Sequence, residues 1–320
     1  MATTTIDRSL DSPPSLEASS NRWGEKAIVA WLFLCATLAV VITVGIIAAL
    51  VGPTVEFFRL VPVREFFSSR DWAPSHADPS FGVFRIVTGT LSVVMYSIII
   101  ALPAGLGAAI YLSEYASPRA RRILKPVLEV LEGVPTVAYG LFALTFVGPL
   151  IQALWPEFLP GKLGEVPGFQ FVLGAGIVLG IMIIPTVASV SQDAMAAVPS
   201  GLREAAYGLG STRMQVATKV VVPAAFSGIV ASFVLGVSRA VGETMVVLLA
   251  AGAVANLSLW PNDPVLTMTA FIARTSTGDI STGTVTYYTI FAVGSLLFTI
   301  TLIMNLISIR LARRFREVYE

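Results

Sequence analysis

The sequence predicts an all-α polytopic membrane protein with six transmembrane helices. Its 320 residues are 55% hydrophobic and 13% charged, with a mean hydropathy of +0.79. Soluble domains are about 45–50% apolar and about 25% charged. Six apolar runs are each long enough to cross a bilayer, which takes roughly 20 helical residues. They are 27–51, 85–115, 133–154, 169–190, 224–253 and 285–311.

The N-terminal third begins with a polar segment. Residues 1–22 are rich in Ser, Thr, Pro and Asp, and predict a disordered tail. The run 27–51 is too long for the core of a cleaved signal peptide, so we expect an uncleaved first helix. Segment 52–84 contains prolines and charges of both signs, and we expect it on the external membrane surface, with short amphipathic pieces at 55–60 and 63–67.

Prolines and glycines interrupt the middle runs. Pro103 lies in the second run, Pro135 near the start of the third and Pro185 in the fourth. Spanning helices tolerate such residues where neighbouring groups satisfy the freed backbone. Glycines allow close helix approach, so those of the fourth run predict tight packing. They are Gly174, Gly176 and Gly180.

A polar loop, residues 199–223, separates the fourth and fifth runs. Its sequence is PSGLREAAYGLGSTRMQVATKVVVP. Ser200 and Ser211 stand at expected N-cap positions, glycines break the middle and Pro223 closes the segment. The pattern predicts two short helices that meet at a glycine turn and lie at one membrane face.

The distribution of Lys and Arg predicts the orientation. With six spans, both termini lie on one side, together with the 119–125 cluster and the 199–223 loop. That side carries fourteen of the 21 basic residues and the opposite side carries six. Because basic residues favour the cytoplasmic side, we expect a multi-pass protein of the plasma (inner) membrane with cytoplasmic N- and C-termini.

The remaining basic residue, Arg239, lies inside the fifth run. A helix from Ala224 places it about 22 Å along the axis, and Glu243 then shares its face at i+4. A buried charge costs at least ~2.5 kcal/mol, so it needs a partner. We expect an Arg239–Glu243 pair that handles an anion, since a guanidinium binds oxyanions in a bidentate manner. The alternative is a neutralised pair that only holds helices together.

Several classes of function are disfavoured. The net charge of +1 argues against a nucleic-acid binder. With Cys35 as the only cysteine and His76 as the only histidine, the chain offers no credible zinc cluster or Cys/His nucleophile pair. A GxxxxGK[ST] phosphate-binding loop is also missing. We therefore expect a non-enzymatic chain without cofactors, and any ATP must be hydrolysed on another subunit.

The 199–223 loop resembles the EAA loop of ABC-importer permeases. Glu204-Ala205-Ala206 is followed by Gly210 and ends in Val-x-Val-Pro, where the family pattern has Ile-x-Leu-Pro. The resemblance implies a type I, MetI-like permease fold in which this loop carries a cytoplasmic coupling helix. It also implies that the loop docks on a partner ATPase through Arg203, Glu204, Ala205, Ala206 and Gly210.

A narrower resemblance covers about residues 84–316. Ser238-Arg239-Ala240-x-Gly242-Glu243-Thr244-Met245 and the string GVPTVAYGL at 133–141 resemble the PstC family of phosphate permeases. This implies a substrate path that includes Ser238, Arg239, Glu243 and Thr244.

The same resemblance implies the partners. They are a sister permease PstA, two PstB ATPase subunits that carry ATP and Mg²⁺, and an extracytoplasmic phosphate-binding protein PstS.

Other residues leave alternatives open. Thr136 and Tyr139 follow Pro135 and are expected either to line a gate or to pack helices. We expect Glu129 and Glu132 to be interfacial partners of nearby basic residues, with a place in the substrate path as the alternative, and Asp193 to help place the loop. Rival functions are a permease for molybdate or sulfate, the PstA subunit, an ion-coupled transporter and an intramembrane enzyme. Ion-coupled transporters usually have inverted repeats or helices broken at mid-membrane, and the sequence suggests neither.

Overall fold

The structure is a computed structural model that describes residues 23–158 and 160–314, with side chains described as far as Arg310. The chain forms two units, Met1–Ala49 and Leu50–Glu320. The predicted disordered tail, residues 1–22, lies outside the described residues. In the first unit, residues 23–49 are helical and none of their side chains is buried.

Helices account for most of the described residues. They are α1 (Trp23–Leu60), α2 (Val63–Phe66), α3 (Phe84–Ile110), α4 (Pro118–Glu132), α5 (Thr136–Phe142), α6 (Gly148–Ala153), α7 (Val172–Ala196), α8 (Ser200–Gly208), α9 (Arg213–Val216), α10 (Val222–Ala224), α11 (Phe226–Val241), α12 (Met245–Ala250), α13 (Met268–Ser276) and α14 (Val285–Arg314). Two short strands, β1 (Trp72–Ala73) and β2 (Ser80–Phe81), pair in antiparallel fashion with Trp72 opposite Phe81.

Wider helical turns interrupt three of the helical stretches. π-helical turns cover Tyr111–Tyr115, Ala143–Val147 and Ala217–Val221, and a 3-10 turn covers Gly161–Gly164. Such π turns occur often at functional sites. One of the three directly follows α3, and another lies within the 199–223 loop, directly before α10.

Five stretches are long and apolar enough to cross a membrane. They are Trp23–Leu60, Phe84–Tyr115, Thr136–Ala153, Val172–Ala196 and Val285–Arg310. The helical stretches Arg213–Ala224 and Phe226–Val241 are bent by 74° and supply a sixth span if they are taken together. The chain is therefore a polytopic helical membrane protein.

Three sequence predictions need correction. The fifth run, 224–253, is broken, because α11 ends at Val241 and α12 begins at Met245. Glycine at the break has a low helix propensity, and the next residue caps α12 instead of continuing α11. Pro223 does not end the loop, since a π turn and α10 continue to the bend at Ala225. The piece at 55–60 is not separate but the end of α1, which runs through Pro53.

The 199–223 loop has the predicted two helices and a glycine turn, in which Gly210 adopts a φ of +81°. Its caps are not the predicted serines. Pro199 is the N-cap of α8 and Thr212 that of α9. Thr212 and Gln215 form a reciprocal capping box, in which the Gln215 side chain accepts from the Thr212 amide at 2.8 Å.

The centre of the second unit is the packing of α3 against α7. α7 is the most deeply buried of the candidate spans. A Cβ atom added at Gly176 would lie 2.6 Å from Tyr96 Cβ, and one added at Gly180 would lie 2.9 Å from the Ser97 carbonyl oxygen. The predicted close packing is confirmed at these two glycines, which let the α3 and α7 backbones approach.

This packing predicts the effect of adding one methyl group. Gly180→Ala should lower the melting temperature of the purified protein in detergent, because the Ser97 carbonyl occupies the space of the new Cβ. Gly107→Ala on α3 is the matched control, since nothing lies within 4 Å of its added Cβ. Both variants gain the same helix propensity. Equal melting temperatures for the two variants would contradict the close-packing role.

Candidate functional site

The last turn of α11 presents Arg239, thirteen residues after the helix begins at Phe226. At 1.5 Å per residue this places it about 20 Å from the bend at Ala225. Its side chain is 28% exposed. A partly accessible cation thus lies at the far end of α11, directly before the break in the fifth run.

Arg239 belongs to a closed triangle of hydrogen bonds. Its Nη1 atom donates to Glu132 Oε1 at 2.8 Å and to Thr186 Oγ1 at 2.9 Å. The Thr186 hydroxyl donates to the same Glu132 oxygen at 2.9 Å. Glu132 is the last residue of α4, and Thr186 follows Pro185 within α7. Three helices, α4, α7 and α11, therefore meet at one charged cluster.

The predicted pairing of Arg239 with Glu243 is wrong. Among the described residues, the ion pair that includes Arg239 joins it to Glu132. Glu243 is buried, and its Oε1 accepts from the amides of Met245 at 2.9 Å and Val246 at 3.2 Å. The i, i+4 argument fails because the helix ends between the two residues.

Helix dipoles explain this distribution of charge. A helix C-terminus favours a cation and an N-terminus favours an anion. Arg239 near the end of α11 and Glu243 at the start of α12 both follow this rule. Glu132 at the end of α4 does not, so the bonds from Arg239 and Thr186 offset an unfavourable position. Glu132 was expected to pair with interfacial basic residues, and that expectation is also wrong.

The other residues predicted for the path and the gate have separate partners. Ser238 donates to Asn305 Oδ1 of α14 at 3.0 Å, and Thr244 makes a long local bond of 3.4 Å to the Gly242 carbonyl. Tyr139 donates to the Leu131 carbonyl at 2.9 Å, beside Glu132. Thr136 is the first residue of α5. None of these four side chains is hydrogen-bonded to Arg239, Glu132 or Thr186 among the described residues.

Sequence reasoning missed Thr186 as a site residue, and it gave Glu132 a place in the path only as the alternative. One signal was present: the string Pro-Thr-Val-Ala occurs at 135–138 and again at 185–188. Both copies place a threonine directly after a proline, which is the N-cap of α5 at Pro135 and lies inside α7 at Pro185. The copy in the third run was considered for a gate, and its equivalent in the fourth run supplies the hydroxyl of the triangle.

The tip of the 199–223 loop projects from the second unit. Glu204 and Ala205 are exposed on α8, Ala206 is half-buried, and the Leu209 side chain is 88% exposed. Met214 and Tyr207 of the same loop are also exposed, and exposed apolar side chains that form a patch mark interaction sites.

The Arg203 side chain is directed toward the protein, whereas that of Glu204 is exposed. Its guanidinium donates to the carbonyls of Val198 at 2.6 Å and Met195 at 2.8 Å, and Nη2 lies 3.1 Å from Glu114 Oε1. The Glu114 side chain is only 5% exposed. One side chain therefore ties α8 to the end of α7 and to the π turn after α3. The prediction that Arg203 itself contacts an ATPase remains a prediction.

Asp193, near the end of α7, forms an ion pair with Lys125 of α4 at 2.7 Å. This contact joins the two helices that also supply Thr186 and Glu132.

Comparisons with known proteins identify the family. Residues 101–317 match the model of the binding-protein-dependent transport system inner membrane component. The chain is 35% identical over 275 residues to the probable ABC transporter permease protein YqgH of Bacillus subtilis strain 168, covering 85% of this chain and 86% of that protein. It is 31% identical over 296 residues to the phosphate transport system permease protein PstC of Haemophilus influenzae, covering 89% and 92%.

A solved structure shows the same fold. A chain of a bacterial alginate ABC transporter, crystallised with an alginate-bound periplasmic protein, superposes with a TM-score of 0.62 at 16% identity. The match covers 94% of this chain and all of that one. The predicted importer-permease fold is thereby confirmed, and the family implies an ATPase and a substrate-binding protein as partners. The chain belongs to the inner membrane components of binding-protein-dependent transport systems.

Proposed function

We propose that this chain is a transmembrane subunit of an ATP-driven importer of inorganic phosphate, and forms half of a heterodimeric pore. The observation that carries the proposal is the 31% identity to a phosphate permease over almost the whole of both chains. The Arg239 cluster supports the same substrate class, because a guanidinium is a preferred partner for phosphate.

The guanidinium nitrogens of Arg239 that have no hydrogen-bond partner among the described residues suit an oxyanion. The hydrogen bonds to Glu132 and Thr186 use only Nη1. Among the described residues, no hydrogen bond is made by Nη2 or Nε, and the side chain is partly exposed. These two nitrogens present parallel donors that match two oxygens of a phosphate.

The proposed mechanism is alternating access. ATP binding on partner subunits draws them together, and the exposed Glu204–Gly210 tip transmits that movement to the spanning helices. The pore then opens outward to receive phosphate from the binding protein, and hydrolysis returns it to the inward-facing state. The chain forms no covalent intermediate, and ATP and Mg²⁺ are bound by the ATPase.

The proposed partners follow from the resemblance to phosphate permeases. They are the sister permease PstA, two PstB ATPase subunits and the phosphate-binding protein PstS. The basic-residue bias supports cytoplasmic termini in a plasma membrane, with the 199–223 loop on the same side as the ATPase.

Removing the guanidinium tests the substrate role. Arg239→Gln should reduce uptake of radiolabelled phosphate by the reconstituted complex by roughly 10- to 150-fold, since a charged hydrogen bond contributes about 1.5–3 kcal/mol. Co-purification of the sister permease and ATPase should be unchanged. Arg59→Gln is the control, because Arg59 is exposed and pairs locally with Glu56. Uptake at the wild-type rate in the Arg239 variant would refute the proposal.

Changing the loop tip tests the coupling role. Leu209→Asp should weaken binding of the ATPase subunit by about 10- to 100-fold, since burying a leucine contributes about 1.5–3 kcal/mol. Binding can be measured by co-purification at graded ATPase concentrations. Leu154→Asp is the matched control, as Leu154 is also exposed but lies after α6, on the opposite predicted side. Equal ATPase binding by both variants would exclude docking through this tip.

Cysteine labelling tests the proposed orientation. In a Cys35→Ser background, Ser281→Cys should react with a membrane-impermeant maleimide added outside intact cells, because Ser281 is exposed in the connector before α14. Leu209→Cys should react only after the membrane is permeabilised. The reverse pattern would invert the topology.

A further inference from the structure

We propose that Glu132 makes the Arg239 site selective for an oxyanion that still carries a proton, such as phosphate, over one that carries none, such as sulfate. This inference rests on the proposed function, because it assumes that an oxyanion reaches Arg239. It assigns a specificity-determining role to a carboxylate outside the string that resembles phosphate permeases.

The first step is the position of the carboxylate. Glu132 Oε1 lies 2.8 Å from Arg239 Nη1, and the Glu132 side chain is 38% exposed. An anion that binds Nη2 and Nε of the same guanidinium therefore comes close to a second, fixed negative charge. Because these nitrogens make no bond among the described residues, the anion can bind without displacing Glu132.

The second step is the orientation of the carboxylate. The Thr186 hydroxyl donates to Glu132 Oε1 while accepting from Arg239. Two donors thus hold one carboxylate oxygen. The other oxygen, Oε2, has no hydrogen-bond partner among the described residues and remains an acceptor. The cluster consequently offers a ligand two donors from Arg239 and one acceptor from Glu132.

The third step is the chemistry of the ligands. An ionised carboxylate only accepts hydrogen bonds. Inorganic phosphate keeps at least one proton at neutral pH, so its P–OH group donates to Glu132 while its other oxygens bind Arg239. Sulfate carries no proton at neutral pH, so it has no hydrogen to donate to the carboxylate. Its negatively charged oxygens are instead repelled by Glu132. The selectivity for phosphate then arises because Glu132 repels sulfate.

A purely structural role for Glu132 leads to a different expectation. If the carboxylate only neutralises Arg239 and holds α4 against α11, its removal changes stability but leaves the relative binding of phosphate and sulfate unchanged. The ratio of the two apparent affinities therefore separates the two roles.

The test is anion-dependent thermal stabilisation of the purified complex of both permeases and the ATPase, without binding protein, at constant ionic strength. Phosphate and arsenate, which both retain a proton, should bind at least 10-fold more tightly than sulfate. Glu132→Gln should bring sulfate to within about threefold of phosphate, since the amide removes the charge and supplies a donor. Arg239→Gln should abolish the shift with all three anions.

Two further variants control for folding and for charge. Glu132→Asp keeps the carboxylate and should retain a preference for phosphate, which shows that the effect is not a general loss of packing. Glu129→Gln, three residues earlier on α4, removes an exposed carboxylate outside the triangle and should behave as wild type.

The outcomes decide the matter. Equal stabilisation by phosphate and sulfate in the wild type, a preference that persists in Glu132→Gln, or no response to any anion would each overturn the inference. Phosphate uptake by the same wild-type complex is measured alongside. If uptake is present and the preference is independent of Glu132, this inference fails alone; if phosphate is not transported, the proposed function fails.

Discussion

The hydrogen-bonded pairing of Arg239 with Glu132 is the constraint on which the arrangement of the candidate site depends. A guanidinium within an apolar segment requires an acceptor, and here the acceptor comes from a helix more than a hundred residues earlier in the chain. That requirement fixes the end of α4 against α11, while Thr186 adds α7 to the same cluster. The cation therefore organises three helices and still leaves two of its nitrogens available.

The break between α11 and α12 follows from the same arrangement. With Arg239 paired to Glu132, the Glu243 carboxylate accepts from the first amides of α12, and the helix is interrupted over Gly242–Thr244. Helices broken within a span are a known device for placing polar groups where ions and substrates bind. The sequence indicated no such break. The structure places it within four residues of the charge, so the charge and the break form one local feature.

The sequence patterns predicted the features that depend on neighbouring residues in the chain. They failed to predict contacts between segments that are distant in the sequence. The six apolar runs, the two-helix loop and the close packing at Gly176 and Gly180 are set by composition and spacing. The Glu132–Arg239 contact joins positions 107 residues apart, and no periodicity within one helix indicates it. The pairing predicted for Glu243 was wrong for a specific reason. The i, i+4 rule applies only within an unbroken helix, and α11 ends at Val241, before Glu243. The Thr212 cap was different, since its capping-box pattern with Gln215 was visible and was overlooked.

The loop and the charged cluster are mechanically connected through helices that they share. Arg203 binds the carbonyls of Met195 and Val198, so α8 is attached to the end of α7. Thr186 lies nine residues before Met195 on that helix, about 14 Å along its axis. α7 is deeply buried and therefore suited to move as a rigid element. Under the proposed coupling role, a displacement of α8 by a docked ATPase would be carried along α7 to Thr186, whose hydroxyl donates to Glu132. Because the same hydroxyl also accepts from Arg239, moving α7 would change both bonds at once, so the proposed coupling role of the loop and the proposed anion site share one helix.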